Sequence, residues 1–162
     1  MNDAEERIDT RVSAPGWGLS ETGAKALAGE VVGAARAHGI ALPGGMLEVW
    51  FADDADLQDL NKRFRHQDRP TNVLSFTAPA GQDMQFGQIA LAYGVCAREA
   101  RARGLSVGDH ARHLVLHGLL HLLGHDHQSA AEAKQMEALE RAIMSAMGLH
   151  DPYMLKQEES GD

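Results

Sequence analysis

Histidines are concentrated in one short segment of the chain. Six of the nine histidines of this 162-residue sequence lie between His110 and His127. His117 and His121 are four residues apart, so on a helix they share one face, with Cβ atoms about 5–6 Å apart. Gly124 can adopt the left-handed conformation that ends a helix and turns the chain back, which would bring His127 to the same point. The spacing predicts one Zn²⁺ bound by His117, His121 and His127, with a fourth position open for water or substrate, as in catalytic zinc sites.

Other residues in or near this segment are weaker candidates for metal ligands. His125 is an alternative to His127 as the third ligand, because it also follows the glycine. His110 and His113 precede the apolar stripe of the helix, and we expect both on the surface. The single cysteine, Cys96, excludes a Cys₄ or Cys₂His₂ zinc site. We expect its side chain to be a small buried apolar group.

The general base of zinc peptidases is absent from the histidine segment. In His-Glu-x-x-His peptidases the glutamate beside the first histidine is the general base, whereas Gly118 follows His117 here. Activation of water must then come from the metal, from Asp126 or from a residue elsewhere. A bound zinc ion lowers the pKa of its water to about 7 and can polarise a phosphoryl oxygen. The pattern therefore predicts a hydrolytic site but disfavours a peptidase.

Hydrophobic spacing and capping residues predict an α+β fold, with helices packed on a small mixed sheet. Asp54 or Asp56 is expected to cap the second helix, and the zinc-bearing helix is expected to end at the Gly124 turn. The last two strands flank a turn and are expected to pair antiparallel. No linker or repeat divides the sequence, so residues 1–162 are expected to form one domain, with a flexible tail at 151–162. The predicted strands cover residues 8–12, 47–52, 72–77 and 86–93, and the predicted helices cover 20–38, 57–64, 95–103, 106–123 and 129–147.

Charge is unevenly distributed along the chain. The formal net charge is −8 and the pI is near 5.5, which disfavours nucleic acid as a partner of the surface as a whole. The basic residues nevertheless form two groups, which are either a local RNA-binding surface or a solvated face. No apolar leader or membrane-spanning run is visible, so we expect a soluble cytoplasmic protein with no membrane partner. The two groups are Lys62, Arg63, Arg65 and Arg69, and Arg98, Arg101, Arg103 and Arg112.

Three segments of the sequence resemble the YbeY endoribonucleases, a family also called rRNA maturation factors. They are LNKRFRHQDRPTNVLSF at 60–76, FGQIAL at 86–91 and, most specifically, HGLLHLLGHDH at 117–127. With the spacing between them, the resemblance spans about residues 45–150. It implies a zinc-dependent, single-strand-specific endoribonuclease that acts in 16S rRNA 3′-end maturation and ribosome quality control. The partners it implies are single-stranded RNA and the small ribosomal subunit.

The resemblance also implies roles for individual residues. His117, His121 and His127 match the zinc ligands of the family, and Arg65 matches its functional arginine. Arg65 and His121 are therefore the expected catalytic residues. A guanidinium group is always charged and has a forked set of donors, so Arg65 suits a phosphate group.

Roles of other residues are predicted from charge and from comparison with the family pattern. Lys62, Arg63 and Arg69 are expected to contact the RNA backbone, on the basis of charge clustering alone. Acidic residues are common in the family at the positions of Asn72 and Gln88, so family roles of those acids do not carry over.

Two alternative functions are consistent with a zinc site. The first is a non-catalytic ribosome-assembly factor with a structural zinc, and the second is a zinc peptidase.

Overall fold

The structure, a computed structural model, describes residues 7–78, 85–125 and 129–153, with Gln85 described for its backbone alone. These ranges contain four strands and five α-helices, so the predicted α+β class is confirmed. No helix in them has both the length and the apolar character that a bilayer-spanning helix needs. In chain order the elements are β1 (Ile8–Val12), a 3₁₀ turn (Pro15–Trp17), α1 (Glu21–Ala37), β2 (Met46–Ala52), α2 (Asp54–Arg65), β3 (Val73–Thr77), β4 (Gln85–Ala92), α3 (Tyr93–Ala102), α4 (Val107–Leu122) and α5 (Ala130–Ala146).

The strands of the described residues form one mixed sheet in the order β1-β2-β4-β3. β2 lies parallel to both β1 and β4. β3 and β4 pair antiparallel, with Ser75 opposite Ile89, as the sequence predicted. β3 is therefore an edge strand of this sheet. Its position matters because the candidate site lies beside it.

Helices cover the two faces of the sheet unequally. Leu47, Val49 and Phe51 of β2 are fully buried in the main core, with apolar side chains of α1, α4 and α5. The alternation of buried and half-buried residues along β2 is that of a strand with one face on the core. On the opposite face a smaller cluster joins Leu57 of α2 to Ala90 of β4. The main core thus fixes α4, the histidine-bearing helix, against the sheet.

Two glycines allow α4 to lie close to β4. A Cβ atom at Gly118 would be 3.1 Å from Cγ2 of Ile89. A Cβ atom at Gly87 would be 2.8 Å from the side chain of Leu122. Both distances are shorter than ordinary van der Waals contact, so larger residues would push the helix away from the strand. The close approach fixes the distance of the histidine face of α4 from the edge of the sheet.

The predicted glycine turn at the end of α4 is confirmed. Gly124 has φ +90°, a conformation that glycine adopts without steric cost. The N–H of Gly124 donates to the carbonyl of His121 at 3.0 Å, and the N–H of His125 donates to the carbonyl of Leu120 at 3.0 Å. These two bonds form a Schellman motif, which satisfies carbonyls that the helix end would leave unpaired.

The predicted N-cap of α2 is wrong. Asp53, and not Asp54 or Asp56, caps the helix, which begins at Asp54. The side chain of Asp53 accepts from the N–H of Asp56 at 2.8 Å, and Asp56 accepts in return from the N–H of Asp53 at 3.3 Å. Asp54 instead accepts from the N–H of Val95 at 3.0 Å and from Arg98 at 3.2 Å. Asp54 therefore contacts α3, and Asp53 and Asp56 form the local cap.

Candidate functional site

A cleft lies between α4 and the edge strand β3. Its central cavity, of about 290 Å³, is lined by residues that include Arg65, His117 and His121. Arg65 is the last residue of α2, and the two histidines lie on α4. The structure thus brings together three of the residues that the sequence singled out. His127 and Asp126 lie outside the described residues.

The imidazole rings of His117 and His121 lie side by side. Their centroids are 4.8 Å apart and their planes meet at 66°. Nδ1 of His117 lies 3.3 Å from Oε1 of Glu140, and it is the donor because an ionised carboxylate only accepts. In the neutral ring, donation through Nδ1 leaves the lone pair on Nε2 of His117, which is the form that binds a metal ion.

Glu140 of α5 is the centre of a buried hydrogen-bond network. Its residue exposure is 0%. Oε2 accepts from Nε2 of His113 at 2.5 Å, and Oε1 accepts from His117 and from the hydroxyl of Tyr153 at 2.8 Å. Burial by itself opposes ionisation of Glu140, but the hydrogen bonds from His113 and His117 outweigh burial and lower the pKa of this carboxyl to about 2. The network therefore holds a carboxylate that is charged at neutral pH.

His110 and His113 are buried, so their predicted surface positions are wrong. They are 3% and 8% exposed. Burial lowers the pKa of His113 although the neighbouring Glu140 opposes this shift, so His113 is a neutral donor to that carboxylate. Nε2 of His110 lies 2.9 Å from Oε1 of Glu99 on α3. Each histidine is thus accommodated in the interior by a carboxylate from another helix.

A second group of residues near the cleft could also hold a metal ion. His113, His117 and Glu140 offer ligand atoms that all lie within 4.8 Å of one another. This group shares His117 with the predicted set but replaces His121 and His127. Its carboxylate oxygens already accept three hydrogen bonds within the protein. Two donor sets must therefore be distinguished by experiment.

Arg65 is held at the cleft by two contacts with β3. One of its amino groups donates to the carbonyl of Ser75 at 3.0 Å. Its Cζ atom lies 4.9 Å from the centroid of the Phe76 ring, a cation–π distance. The residue is exposed, so its charge can meet a ligand without prior burial. An arginine anchored to the edge strand thus lies beside the histidine pair.

The other basic residues differ in their relation to the cleft. Arg69 lines an adjoining cavity that also contains Arg65. Lys62 lies 4.0 Å from Asp68, and Arg63 lies 3.2 Å from Asp59. Both basic residues are exposed, and neither lines any of the three cavities around Arg65.

Residues of the second basic group have partners within the protein. Arg98 pairs with Asp54 at 3.2 Å, and Arg112 pairs with Glu30 at 2.8 Å. Arg103 donates to the carbonyl of Pro152.

Comparison with known proteins identifies the family. The sequence model of the family described as Endoribonuclease YbeY matches residues 18–148. The protein named Endoribonuclease YbeY in Chelativorans sp. (strain BNC1) is 44% identical over 151 residues, which cover 90% of this chain and 92% of that relative. Its namesake in Paramagnetospirillum magneticum (strain ATCC 700264 / AMB-1) is 41% identical over 156 residues, covering 90% and 94%. This chain belongs to the YbeY family.

A solved structure is similar to the fold of this YbeY family member. The solution structure of TM1509 from Thermotoga maritima matches with a TM-score of 0.54 and 22% sequence identity. The match covers 90% of this chain and 97% of that one. At this identity the similarity supports the fold alone.

Gly118 of this YbeY chain lies where a peptidase would need its glutamate. The residue is buried, and its Cα faces the side chain of Ile89 on β4. Gly118 also lines the cavity that contains His117 and His121. A Cβ atom at this position would lie 3.1–3.3 Å from the Ile89 side chain, so the packing of α4 on the sheet disfavours a longer side chain at position 118.

Two amide side chains of this YbeY protein pair with carboxylates. Nδ2 of Asn72 donates to Oε1 of Glu99 at 3.0 Å. Nε2 of Gln88 donates to Oε1 of Glu48 at 3.1 Å. An acid at either position would place two carboxyl groups in contact, which would raise the pKa of one of them. In this chain each amide donates a hydrogen bond to a carboxylate instead.

The sequence reading missed the residues that support His117. Glu140 is not among the predicted site residues, although it lies in register with Met136, Ile143 and Met144, which are all buried. A lone acid within an apolar helical stripe is the signal that could have identified it. Nothing in the local sequence pairs Glu140 with His113, since 27 residues separate them.

Proposed function

We propose that this chain is a zinc-dependent endoribonuclease that cleaves single-stranded RNA in 16S rRNA 3′-end maturation and ribosome quality control. In this proposal residues 1–162 form one catalytic domain that works in the cytoplasm on the small ribosomal subunit. The relatives named Endoribonuclease YbeY support the reaction class. The observation that carries the proposal is the cleft in which Arg65 lies with His117 and His121.

The proposed zinc ligands are His117, His121 and His127. Imidazole nitrogens are preferred zinc ligands, and three of them with an open position form a catalytic site. Glu140 favours this set, because its hydrogen bond to Nδ1 of His117 directs the lone pair of that ring to Nε2. His113 then belongs to the supporting network, since its Nε2 already bonds to Glu140.

The metal and the two arginines have different roles in the proposed phosphodiester cleavage. When bound, zinc supplies a water of pKa about 7 and polarises a phosphoryl oxygen. Arg65 has several N–H donors, so it can remain bonded to the Ser75 carbonyl and also bind a non-bridging phosphate oxygen. Arg69, in the adjoining cavity, suits a neighbouring phosphate of the same strand.

One side-by-side cleavage assay tests this function. A defined single-stranded RNA and its duplex are incubated with zinc-loaded protein, chelated protein and the zinc-loaded His121→Ala variant. We expect cleavage of the single strand by the zinc-loaded wild type alone. Absence of cleavage by wild type after rigorous removal of other nucleases, together with zinc-dependent folding, would instead support a non-catalytic assembly factor.

A further inference from the structure

Phe64 is an exposed aromatic residue at the end of α2. It is 51% exposed and is the only exposed large apolar side chain among the residues that the structure describes. A phenyl ring contributes to folding stability only through the surface that it buries, so the exposed part of Phe64 contributes nothing. Its ring contacts the ring of Phe76, and Phe76 lines a cavity with Arg65 and His121.

Phe64 is part of a small cluster of rings and guanidinium groups. The rings of Phe64 and Phe76 are 5.4 Å apart and meet at 60°. Cζ of Arg63 lies 5.1 Å from the Phe64 centroid, and Cζ of Arg65 lies 4.9 Å from the Phe76 centroid. Arg63 also pairs with Asp59 at 3.2 Å, which holds it along the helix. We call Arg63, Phe64, Arg65 and Phe76 the aromatic–arginine cluster.

The aromatic–arginine cluster adjoins the histidine pair. A cavity of about 300 Å³ is lined by Arg65, Phe76 and His121, together with Leu122 of α4. Arg65 and Phe76 of the cluster therefore line this cavity together with residues of the proposed zinc-bearing helix, and Phe64 adjoins it through its contact with the Phe76 ring. A chain molecule that passes through it would contact both.

We propose that the aromatic–arginine cluster is a base-stacking subsite, in which an unpaired nucleobase of single-stranded RNA stacks on Phe64 while Arg65 binds the adjacent phosphate. This inference rests on the proposed function. Aromatic rings in a basic groove bind single strands in this way, because every base has a π face and every nucleotide carries a phosphate. The guanidinium groups of Arg63 and Arg65 match the charge of the nucleotide rather than an apolar partner surface.

The subsite gives a physical reason for preference for single strands. A base in a duplex is stacked between its neighbours and cannot reach a protein ring without the cost of unstacking. Phe64 lies at a helix end and is open to solvent, so an unpaired base can approach it directly. Loss of the ring should therefore weaken binding of single strands more than binding of duplexes.

Substitutions of Phe64 test the subsite. A single-stranded RNA that carries 2-aminopurine reports stacking by fluorescence quenching, and the same RNA in a duplex is the control ligand. We expect Phe64→Leu to weaken single-strand binding by about fivefold or more and to abolish the quenching, while Phe64→Tyr retains both. Zinc content of both variants should equal that of wild type. Phe64→Tyr should unfold like wild type, and Phe64→Leu should lose only the small contribution of the ring contact with Phe76.

Three results would overturn the inference. The first is single-strand binding and quenching by Phe64→Leu equal to wild type. The second is an equal loss of single-strand and duplex binding, which would indicate a general charge effect. The third is unchanged RNA binding with weaker binding to small ribosomal subunit proteins, which would make the cluster a protein-docking surface. Binding is measured apart from cleavage, so an inactive wild type that still stacks 2-aminopurine would contradict the proposed function and support the subsite.

Discussion

At the scale of single residues, Glu140 connects the site to the interior of the protein through hydrogen bonds. A carboxylate with no exposed surface would be costly if it were alone. Three donors, from His113, His117 and Tyr153, offset that cost and use both of its oxygens. The same bonds fix the tautomer of His117 and the direction of its ring. One buried residue thus links the stability of α4 and α5 to the orientation of a proposed zinc ligand.

Glu140→Ala should therefore affect both metal binding and folding. We expect the zinc affinity to fall about 10- to 100-fold, because His117 loses its orienting acceptor. We expect the free energy of unfolding to fall by at least about 1–3 kcal/mol, because the buried donor of His113 loses its partner. Competition with a chromophoric chelator and urea denaturation of the metal-free protein measure the two effects. Tyr153→Phe is the matched control, which should cost only about 1 kcal/mol and leave zinc affinity near wild type. Unchanged zinc affinity in Glu140→Ala would show that this carboxylate does not orient His117.

Arg65→Ala should remove most RNA cleavage while leaving folding and zinc content intact. The side chain is exposed, so its loss creates no cavity. It lies in the cleft with the histidine pair, so its loss removes a charge from the phosphate site. Arg65→Lys should restore only part of the activity, because lysine cannot donate as a planar fork. Arg101→Ala, an exposed arginine of α3, is the charge-matched control and should cleave like wild type. Equal activity of the Arg65 and Arg101 variants would make Arg65 a surface charge.

At the scale of elements, the contact between α4 and β4 positions the histidine face. Gly118 and Gly87 each face a side chain of the opposite element. Glycine in a helix costs about 1 kcal/mol relative to alanine, so Gly118 is retained at a cost to intrinsic helix stability. The close packing of α4 on β4 that Gly118 allows offsets this cost.

Gly118→Ala and Gly33→Ala form a matched pair that tests this contact. A Cβ at Gly33 of α1 meets nothing within 4 Å, so alanine should stabilise the protein by about 1 kcal/mol. A Cβ at Gly118 would be 3.1–3.3 Å from the Ile89 side chain, and overpacking of this kind costs about 1–3 kcal/mol. Urea denaturation should therefore show Gly118→Ala to be less stable than Gly33→Ala. An equal gain in both variants would show that the helix is not held at this distance by the glycine.

Local signals in the sequence were sufficient for most elements and insufficient for the support of the site. Ser20, Ser106 and Ser129 cap their helices, and such caps are local, because each serine side chain accepts from an N–H only three residues further along the chain. The cap of α2 was misassigned because a contact with α3 uses Asp54. The burial of His110 and His113 depends on carboxylates from other helices, which no local pattern specifies.

At the scale of the whole molecule, the protein is negatively charged, as is the proposed RNA substrate, so RNA binding requires a local basic cleft. The net charge is −8, so long-range attraction to RNA is weak or repulsive. Arg65 and Arg69 line adjoining cavities. Several other basic side chains pair with nearby acids, which reduces their local field. The RNA-binding charge should therefore be confined to a few contacts.

The salt dependence of RNA binding measures how many contacts there are. For a single strand the logarithm of the binding constant should fall linearly with the logarithm of salt concentration, by about 0.7 per phosphate contact. Arg69→Ala should lower this slope by about 0.7. Lys62→Ala and Arg63→Ala should lower it less, since Asp68 and Asp59 already neutralise part of their charge. Arg36→Ala, on the exposed end of α1, is the control with an unchanged slope. A slope unaffected by all of these substitutions would show that the basic segment is only a solvated face.

Zinc content per chain tests the proposed metal centre most directly. Elemental analysis of protein purified without chelator, and then titrated with zinc, is made on wild type and on the His121→Ala, His127→Ala and His113→Gln variants. The proposed ligands predict one zinc per wild-type chain, loss of the metal in the His121 and His127 variants, and retention in His113→Gln, whose amide can still donate to Glu140. Absence of zinc from wild type would contradict a zinc centre altogether. Zinc retained in His121→Ala and His127→Ala but lost in His113→Gln would assign the metal to His113, His117 and Glu140 instead.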